Sequence, residues 1–391
     1  MSFVVENVQK TLYLRRNWLF MRLKSLDILR GLDLWFLLIV GPVYRSFYSC
    51  CHPEGRFIQW VNMQMRHVDW VGFTAWDTIM PLFMFMSGIT IPFSMAKYKA
   101  GVTSDKSFYL KLMRRFVLLF FLGWIAQGNL LTFDPKLFHP FANTLQAIAV
   151  GYVASALMFV HFRPKVQIIL TSALFLVYLG AFVFTGMDFN QESNIAMVID
   201  KAVLGCHRDG VIWHADGTWT FNPEYQYTWI LSSLNFIVTV MMGCLAGQVL
   251  CSDERSVNAR KSWMLAGIGA ALIVAGLLMS PWCPIIKKIW SSSMTLLSGG
   301  ICFLLMALVY YLVDVCKCKL EMKGIACFGM NSIAVYMIGQ KVKFTSVSQS
   351  LLFGLEPFTG AYYPLVITVG NALILYFIIR VMYKYKVFLK V

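Results

Sequence analysis

The sequence predicts an all-α polytopic membrane protein: a bundle of about ten transmembrane helices with both termini on the cytoplasmic side (N-in/C-in). Three observations carry that reading. The first is composition: of 391 residues, 58% are hydrophobic and 14% charged, with a mean hydropathy of +0.64, whereas a soluble chain carries about 25% charged residues. The second is a succession of apolar runs near the length of about 20 residues that a bilayer crossing needs. The third is the placing of the cations. Counted over alternate segments from the N-terminus, 24 of the 34 Lys and Arg fall on one side and the remaining 10 on the other, the asymmetry of cytoplasmic against translocated loops. The formal charge of +15 is spread between the apolar runs instead of forming one patch. It suits anionic membrane lipids as partners and excludes nucleic acid.

In order, residues 1–29 form a cytoplasmic N-terminal segment. They show no continuous apolar core followed by a small-residue cleavage site, so the first span is expected to serve as the insertion signal. The spans are expected at 30–47, 70–96, 113–131, 141–161, 167–186, 228–250, 263–281, 293–314, 325–340 and 362–383. The first begins with Arg30 and Asp33, and the ninth is short and polar. With no tandem repeat or low-complexity linker, 30–391 reads as a single transmembrane domain. Two connections are long: 48–69, and an outer loop at about 187–227 rich in aromatic and hydrogen-bonding residues, a kind of loop that often carries function. The ten cysteines show no zinc-type spacing, so no metal is expected. Cys50, Cys51, Cys206 and Cys283 fall in outer segments, where a disulfide is open.

Chemistry concentrates around residues 67–91, where His67, Asp69 and Asp77 lead into an apolar run containing Pro81. An acid at Asp77 lies below the interface, where an unpaired charge is costly and marks a partner or a function. On a regular helix His67 and Asp77 would stand roughly 15 Å apart, too far to bond; a loop at 67–70 would remove that limit. Taken alone, His67 also reads as an interfacial histidine bonded to water. Asp27 and Arg30 share a helical face one turn apart, as a structural pair or as a holder for an anionic ligand. Arg114 and Arg115 open the third span within the most basic inner segment and suit phosphate groups. Asn143 and Gln146, one turn apart, and Asn331 in GMNS supply neutral amides inside the membrane, for helix packing or ligand contact. Glu224 lies in the long outer loop, and Lys287, Lys288 and Trp290 precede a serine-rich span. No Walker loop, dinucleotide fingerprint, H-E-x-x-H or nucleophile elbow is present, which leaves ATP-driven transport, NAD chemistry and zinc hydrolysis without support.

Several patterns occur in one order: RLKSLDILRG at 22–31; His67, Trp70, Gly72, Thr74 and Asp77, with Pro81 four residues on; F-M-S-G-I-T-I; Arg115; T-L-Q at 144–146; N-P-E at 222–224; Lys288 and Trp290; and GMNSIAVY at 329–336. In these the chain resembles the transmembrane acetyltransferases typified by heparan-alpha-glucosaminide N-acetyltransferase, above all their short bacterial relatives, over nearly its whole length. The resemblance implies acetyl transfer from cytosolic acetyl-CoA to an amino sugar or glycan acceptor presented from the opposite side. It implies His67 as the active histidine, acting as general base or as nucleophile, with Asp77 or Asp69 orienting it. Arg30, Arg114, Arg115, Lys288 and Trp290 would hold acetyl-CoA, while Asp27, Asn143, Gln146, Glu224 and Asn331 would bind substrate or support the site. The lysosomal members carry a lumenal domain and a further span before this region, so a multi-pass protein of the bacterial inner membrane is expected, with a homodimer open. Three positions depart from the family's pattern: Gly41 where it usually has asparagine, Asn222 for the acid of D-P-E, and Ala147 for an arginine. An O-acetyltransferase of envelope polysaccharide and a proton-coupled secondary transporter are the rival readings.

Overall fold

A computed structural model describes residues 23–101, 104–128, 134, 136, 138–252, 257–318 and 323–389. Arg22 of the first motif lies outside them. The chain opens with α1 (Lys24–Trp35), which runs through a π-helical turn at Phe36–Val40 into α2 (Gly41–Cys51). A short helix, α3 (Arg56–Gln64), leads to a loop and a 3-10 turn at Ala75–Thr78 that starts α4 (Ile79–Lys99). Then follow α5 (Asp105–Gln127), α6 (Thr144–His161) and α7 (Pro164–Phe184). The long connection contains α8 (Ile195–Leu204) and a hairpin of β1 (Val211–Trp213) with β2 (Trp219–Phe221), antiparallel, Ile212 facing Thr220. The remaining helices are α9 (Ser232–Cys251), α10 (Ala259–Met279), α11 (Ser292–Tyr310), α12 (Lys323–Met330), α13 (Ser332–Lys341), α14 (Thr345–Leu352), α15 (Glu356–Thr359) and α16 (Tyr363–Lys384).

Seven helical stretches among the described residues are long and apolar enough to cross a membrane: 75–99, 144–161, 164–184, 232–251, 259–279, 292–315 and 345–384. These cover seven of the ten expected spans. The other three regions are helical as well, but each departs from a plain apolar span. The first is the continuous α1–α2, which carries Asp27, Arg30, Asp33 and Arg45. The third is α5, basic over its first half, and the ninth is broken at Asn331 into α12 and α13.

Helix α4 is the axis of the bundle, because both its faces are apolar and buried: Met84, Phe85, Ile89, Ile91 and Met95 are fully enclosed. An all-round apolar helix has to be surrounded. It meets α9 backbone to backbone, since a Cβ at Gly88 would run into the Val240 carbonyl and one at Gly243 into the Phe85 carbonyl. Small residues at a membrane helix interface allow such an approach. By contrast α7 and α10 expose most of their length, with Ile169, Leu176, Val177, Leu277 and Leu278 facing outward, as lipid-facing helices do. Cys50, Cys51, Cys206 and Cys283 of the outer segments form no disulfide among the described residues.

Candidate active site

Pro81 and the apolar run behind it begin one turn after Asp77, and the helix start is built around that acid. Thr74 and Asp77 form a capping box: the Thr74 N–H donates to Asp77 Oδ2 at 3.1 Å, and the Thr74 hydroxyl lies 2.9 Å from the same oxygen and 2.7 Å from the Arg66 carbonyl. Such a box satisfies donors that a helix start otherwise leaves open. It fixes the carboxylate with Oδ1 free to face the loop. His67 comes back over it, because residues 65–74 are not helical. Its Nδ1 stands 2.7 Å from Asp77 Oδ1. The loop geometry, not the regular helix, is what this sequence adopts.

Lys287 completes the group. Its Nζ lies 3.2 Å from Asp77 Oδ1 and 3.2 Å from His67 Nδ1. The segment that carries it is tied to the His67 loop: Gly72 N–H donates to the Ile285 carbonyl at 2.8 Å, and Val71 bridges Ile286. Trp290 anchors that segment from behind, fully buried at a positive φ of 53°. Its indole N–H donates to Thr239 Oγ1, and its carbonyl accepts from Asn235. Trp70 ties the other side of the loop, donating to the Phe189 carbonyl at 2.9 Å and meeting Tyr225 edge-on.

Burial grades sharply across this triad. The side chains of Asp77 and Lys287 keep 2% and 10% of their exposure, and His67 keeps 56%. A carboxylate only accepts hydrogen bonds, so the 2.7 Å contact places the imidazole proton on Nδ1. In the neutral ring this leaves the lone pair on Nε2. Lys287 supplies the buried counter-charge that a carboxylate at this depth needs. The group can therefore hold a neutral, oriented imidazole as a base.

A second feature lies further along α4. A cavity of about 450 Å³ is lined by Asp27, Arg30, Ser87, Arg115, Ser332 and Tyr336 among others. Its lining residue nearest to Asp77 in sequence is Phe83, six positions on, roughly 9 Å along the helix. Arg30 donates to the Met86 carbonyl at 3.2 Å, and Arg115 stacks over Tyr152 at 3.8 Å, its buried Nε lacking a hydrogen-bond partner among the described residues. Tyr336 of the cavity lining donates to Asn143 Oδ1 at 3.4 Å and has Tyr227 as a neighbour, whose ring lies 6.0 Å from Lys287 Nζ.

The sequence-derived residues thus divide. His67 and Asp77 meet directly, and Asp27, Arg30 and Arg115 meet at the cavity, whose lining lacks Arg114 and Lys288; Arg114 is exposed. Asp69 is exposed and Glu224 lies on the surface of the outer loop. Trp290 is an internal anchor. Gln146 spends its carbonyl on capping α6, accepting from Ala142 and Asn143 N–H groups at 2.7 and 3.0 Å. Asn331 uses both ends of its amide on the backbone of residues 387 and 389. The sequence marks Lys287 only beside Lys288 and Trp290, and the resemblance gives the donor role to those two. The signal for Lys287 was the acid itself, which requires a cation from elsewhere in the chain. Among the described residues, no three His, Cys, Asp or Glu gather as metal ligands.

A helical membrane protein with an oriented histidine at one end of its central helix and, further along, a cavity that sets two arginines among apolar side chains is the class that fold and site define. The chain is 25% identical to the human protein named heparan-alpha-glucosaminide N-acetyltransferase over 375 aligned residues, which cover 82% of this chain and 53% of the relative. The mouse protein of the same name is 24% identical over the same shares. The chain is a distant relative of that family and spans about half the length of the curated relatives it matches. No protein-family model matches it.

Proposed function

We propose that the chain is a membrane-bound acetyltransferase that moves an acetyl group from acetyl-CoA to the amine of an amino sugar. The observation that carries this is the His67–Asp77–Lys287 group. In the reaction, His67 Nε2 accepts the proton of the acceptor amine as its nitrogen bonds to the thioester carbonyl carbon. The C–S bond breaks, and the imidazolium returns the proton to the departing thiolate, which restores the base. Asp77 holds the ring in its tautomer and balances the transient charge, while Lys287 keeps Asp77 ionised. The names of the relatives support an acetyl acceptor of the glucosaminide type.

The cavity suits the donor. Arg30 and the unpartnered Nε of Arg115 are cations for phosphate oxygens, and the apolar wall of Phe83, Leu119 and Ile148 suits a pantetheine arm. Its size lies within the roughly 300–1,000 Å³ of small-molecule sites. The arm then has to pass Tyr336 and Tyr227 to bring the thioester to His67. The cation asymmetry supports ten spans with both termini in the cytoplasm, so that cavity and histidine open toward opposite sides of a bacterial cytoplasmic membrane. The test is His67→Ala in purified protein given labelled acetyl-CoA and glucosamine. The variant is expected to bind coenzyme A as the wild type does and to transfer no acetyl group. Turnover like the wild type's overturns the assignment.

A further inference from the structure

Helix α3 ends three residues before His67 and has a face left exposed among the described residues. Phe57, Trp60 and Met63, spaced three apart and so on one stripe, are 73%, 53% and 56% exposed. The Phe57 and Trp60 rings stack on each other at 6.1 Å. The rest of the helix is fastened down. Tyr44 donates to the Ile58 carbonyl at 3.2 Å, and Gln64 Oε1 accepts from the Ala75 N–H at 2.9 Å, at the turn that begins the first of the seven membrane-length stretches.

Nine residues make a helix of roughly 13 Å, less than half of the ~30 Å hydrocarbon layer, so α3 cannot cross. Its position beside the start of a span, with an exposed Phe/Trp/Met stripe, is that of a helix lying in the headgroup region. Arg56 opens the helix, Arg66 follows two residues after its end, and Arg45 lies close enough to Arg66 for their charges to interact. Arg45 is stacked over Trp76 at 4.7 Å, and Trp76 meets the His67 ring edge-on at 6.5 Å. These exposed arginines, against the acids Glu54 and Asp69 of the same stretch, suit lipid phosphates.

We infer that α3 seats in the headgroup layer and places His67 at that level, so that the acceptor is itself anchored in the leaflet: an amino sugar carried on a lipid phosphate. The acceptor half rests on the transferase reading above; the seating of α3 does not. A lipid surface is favoured over a second copy of the chain because the stripe is continuous with the start of a membrane span and is rimmed by cations.

The test uses the full chain in lipid nanodiscs. Tryptophan quenching by lipids brominated near the headgroup is compared between wild type and Trp60→Phe, and the difference gives the share of Trp60. That share is expected to be quenched by the brominated lipid and protected from aqueous iodide. The reverse pattern, or protection from both with cross-linking between copies through residue 60, overturns the seating. In the second arm, kcat/KM is measured for glucosamine tethered to a lipid phosphate and for free glucosamine. Confinement to the surface is expected to raise the tethered-to-free ratio to about tenfold or more in the wild type. Phe57→Ser/Trp60→Ser is expected to bring that ratio to near one, with its folding checked by coenzyme A affinity. An unchanged ratio in that variant overturns the acceptor assignment. Absence of transfer to either acceptor refutes the transferase and with it the acceptor half, and the quenching arm still decides the seating.

Discussion

Asp77→Asn tests the central group with a change of one atom. Both carboxylate oxygens are in use: Oδ1 faces His67 Nδ1 and Lys287 Nζ, and Oδ2 faces the Thr74 N–H and hydroxyl. An amide has one acceptor and one donor end. Turned either way, its NH₂ meets donors, so one side of the arrangement is lost. The buried ammonium of Lys287 also loses its counter-charge, and breaking a buried pair from one side costs roughly 3–5 kcal/mol. The imidazole loses the partner that holds its proton on Nδ1; in a serine-protease triad the corresponding change lowers kcat about 10⁴-fold. The expectation for Asp77→Asn is a fall of about 10²–10⁴-fold in kcat together with a lowered thermal midpoint. Adding Lys287→Met removes the stranded charge. The double variant is then expected to regain much of the stability and none of the activity. The assay is labelled-acetyl transfer beside a melting curve in one detergent, with coenzyme A binding as the control. Activity within about tenfold of wild type, or a double variant no more stable than Asp77→Asn, would refute the reasoning.

Two further outcomes follow from other parts of the molecule. Arg115→Met is expected to raise KM for acetyl-CoA by about tenfold or more, the scale of one charge-assisted phosphate contact, with kcat at saturation little changed; an equal loss in kcat would argue against a phosphate role. In the outer loop, Asp200 accepts from the Trp229 and Ile230 N–H groups at 2.7 and 2.9 Å, and burial pushes its carboxyl up to about 6. The folded state thus holds that proton more tightly than the unfolded chain. Its contribution to stability is present below the usual carboxylate range and is lost as pH rises from about 4 through about 6, by roughly 3 kcal/mol. The difference in melting temperature between wild type and Asp200→Asn, followed from pH 4 to pH 7, is expected to change in that direction, and a difference that stays flat or reverses would refute it.

The sequence carries the long apolar helices openly, because a lipid-facing or fully enclosed helix has to be apolar along its length. It is less direct where polar groups are answered from a distance. Arg30 in α1 finds the Met86 carbonyl across 56 positions, and hydropathy has no term for that bond. The pairing of His67 with Asp77 depends on a loop, and a separation of ten residues is compatible with contact or with ~15 Å. Lys287 arrives from 210 positions beyond Asp77, so nothing local points to it. The amide of Gln146 is a different case: Asn143 and Gln146 before an apolar run have the form of a capping box, and a cap is what they form. That signal was present and favoured structure over ligand contact.

Gly41 gains a physical meaning from its neighbour. As a departure from the family's asparagine it reads as a polar group lost beside the histidine. In the fold, a Cβ at residue 41 would collide with the Trp76 ring. Trp76 is buried, packs 5.4 Å from Phe36, lies beneath Arg45 and meets the His67 ring edge-on. The glycine therefore admits an indole, and the indole in turn fixes a guanidinium close to the histidine. An amide near a base offers a neutral hydrogen bond. An indole with an arginine stacked on it offers an apolar wall and a positive charge instead. In this chain the His67–Asp77–Lys287 group forms with glycine at position 41 and the Trp76 ring against it. Any difference in acceptor between this chain and its relatives is then expected at the Arg45–Trp76 side of the histidine, not in the proton-handling group.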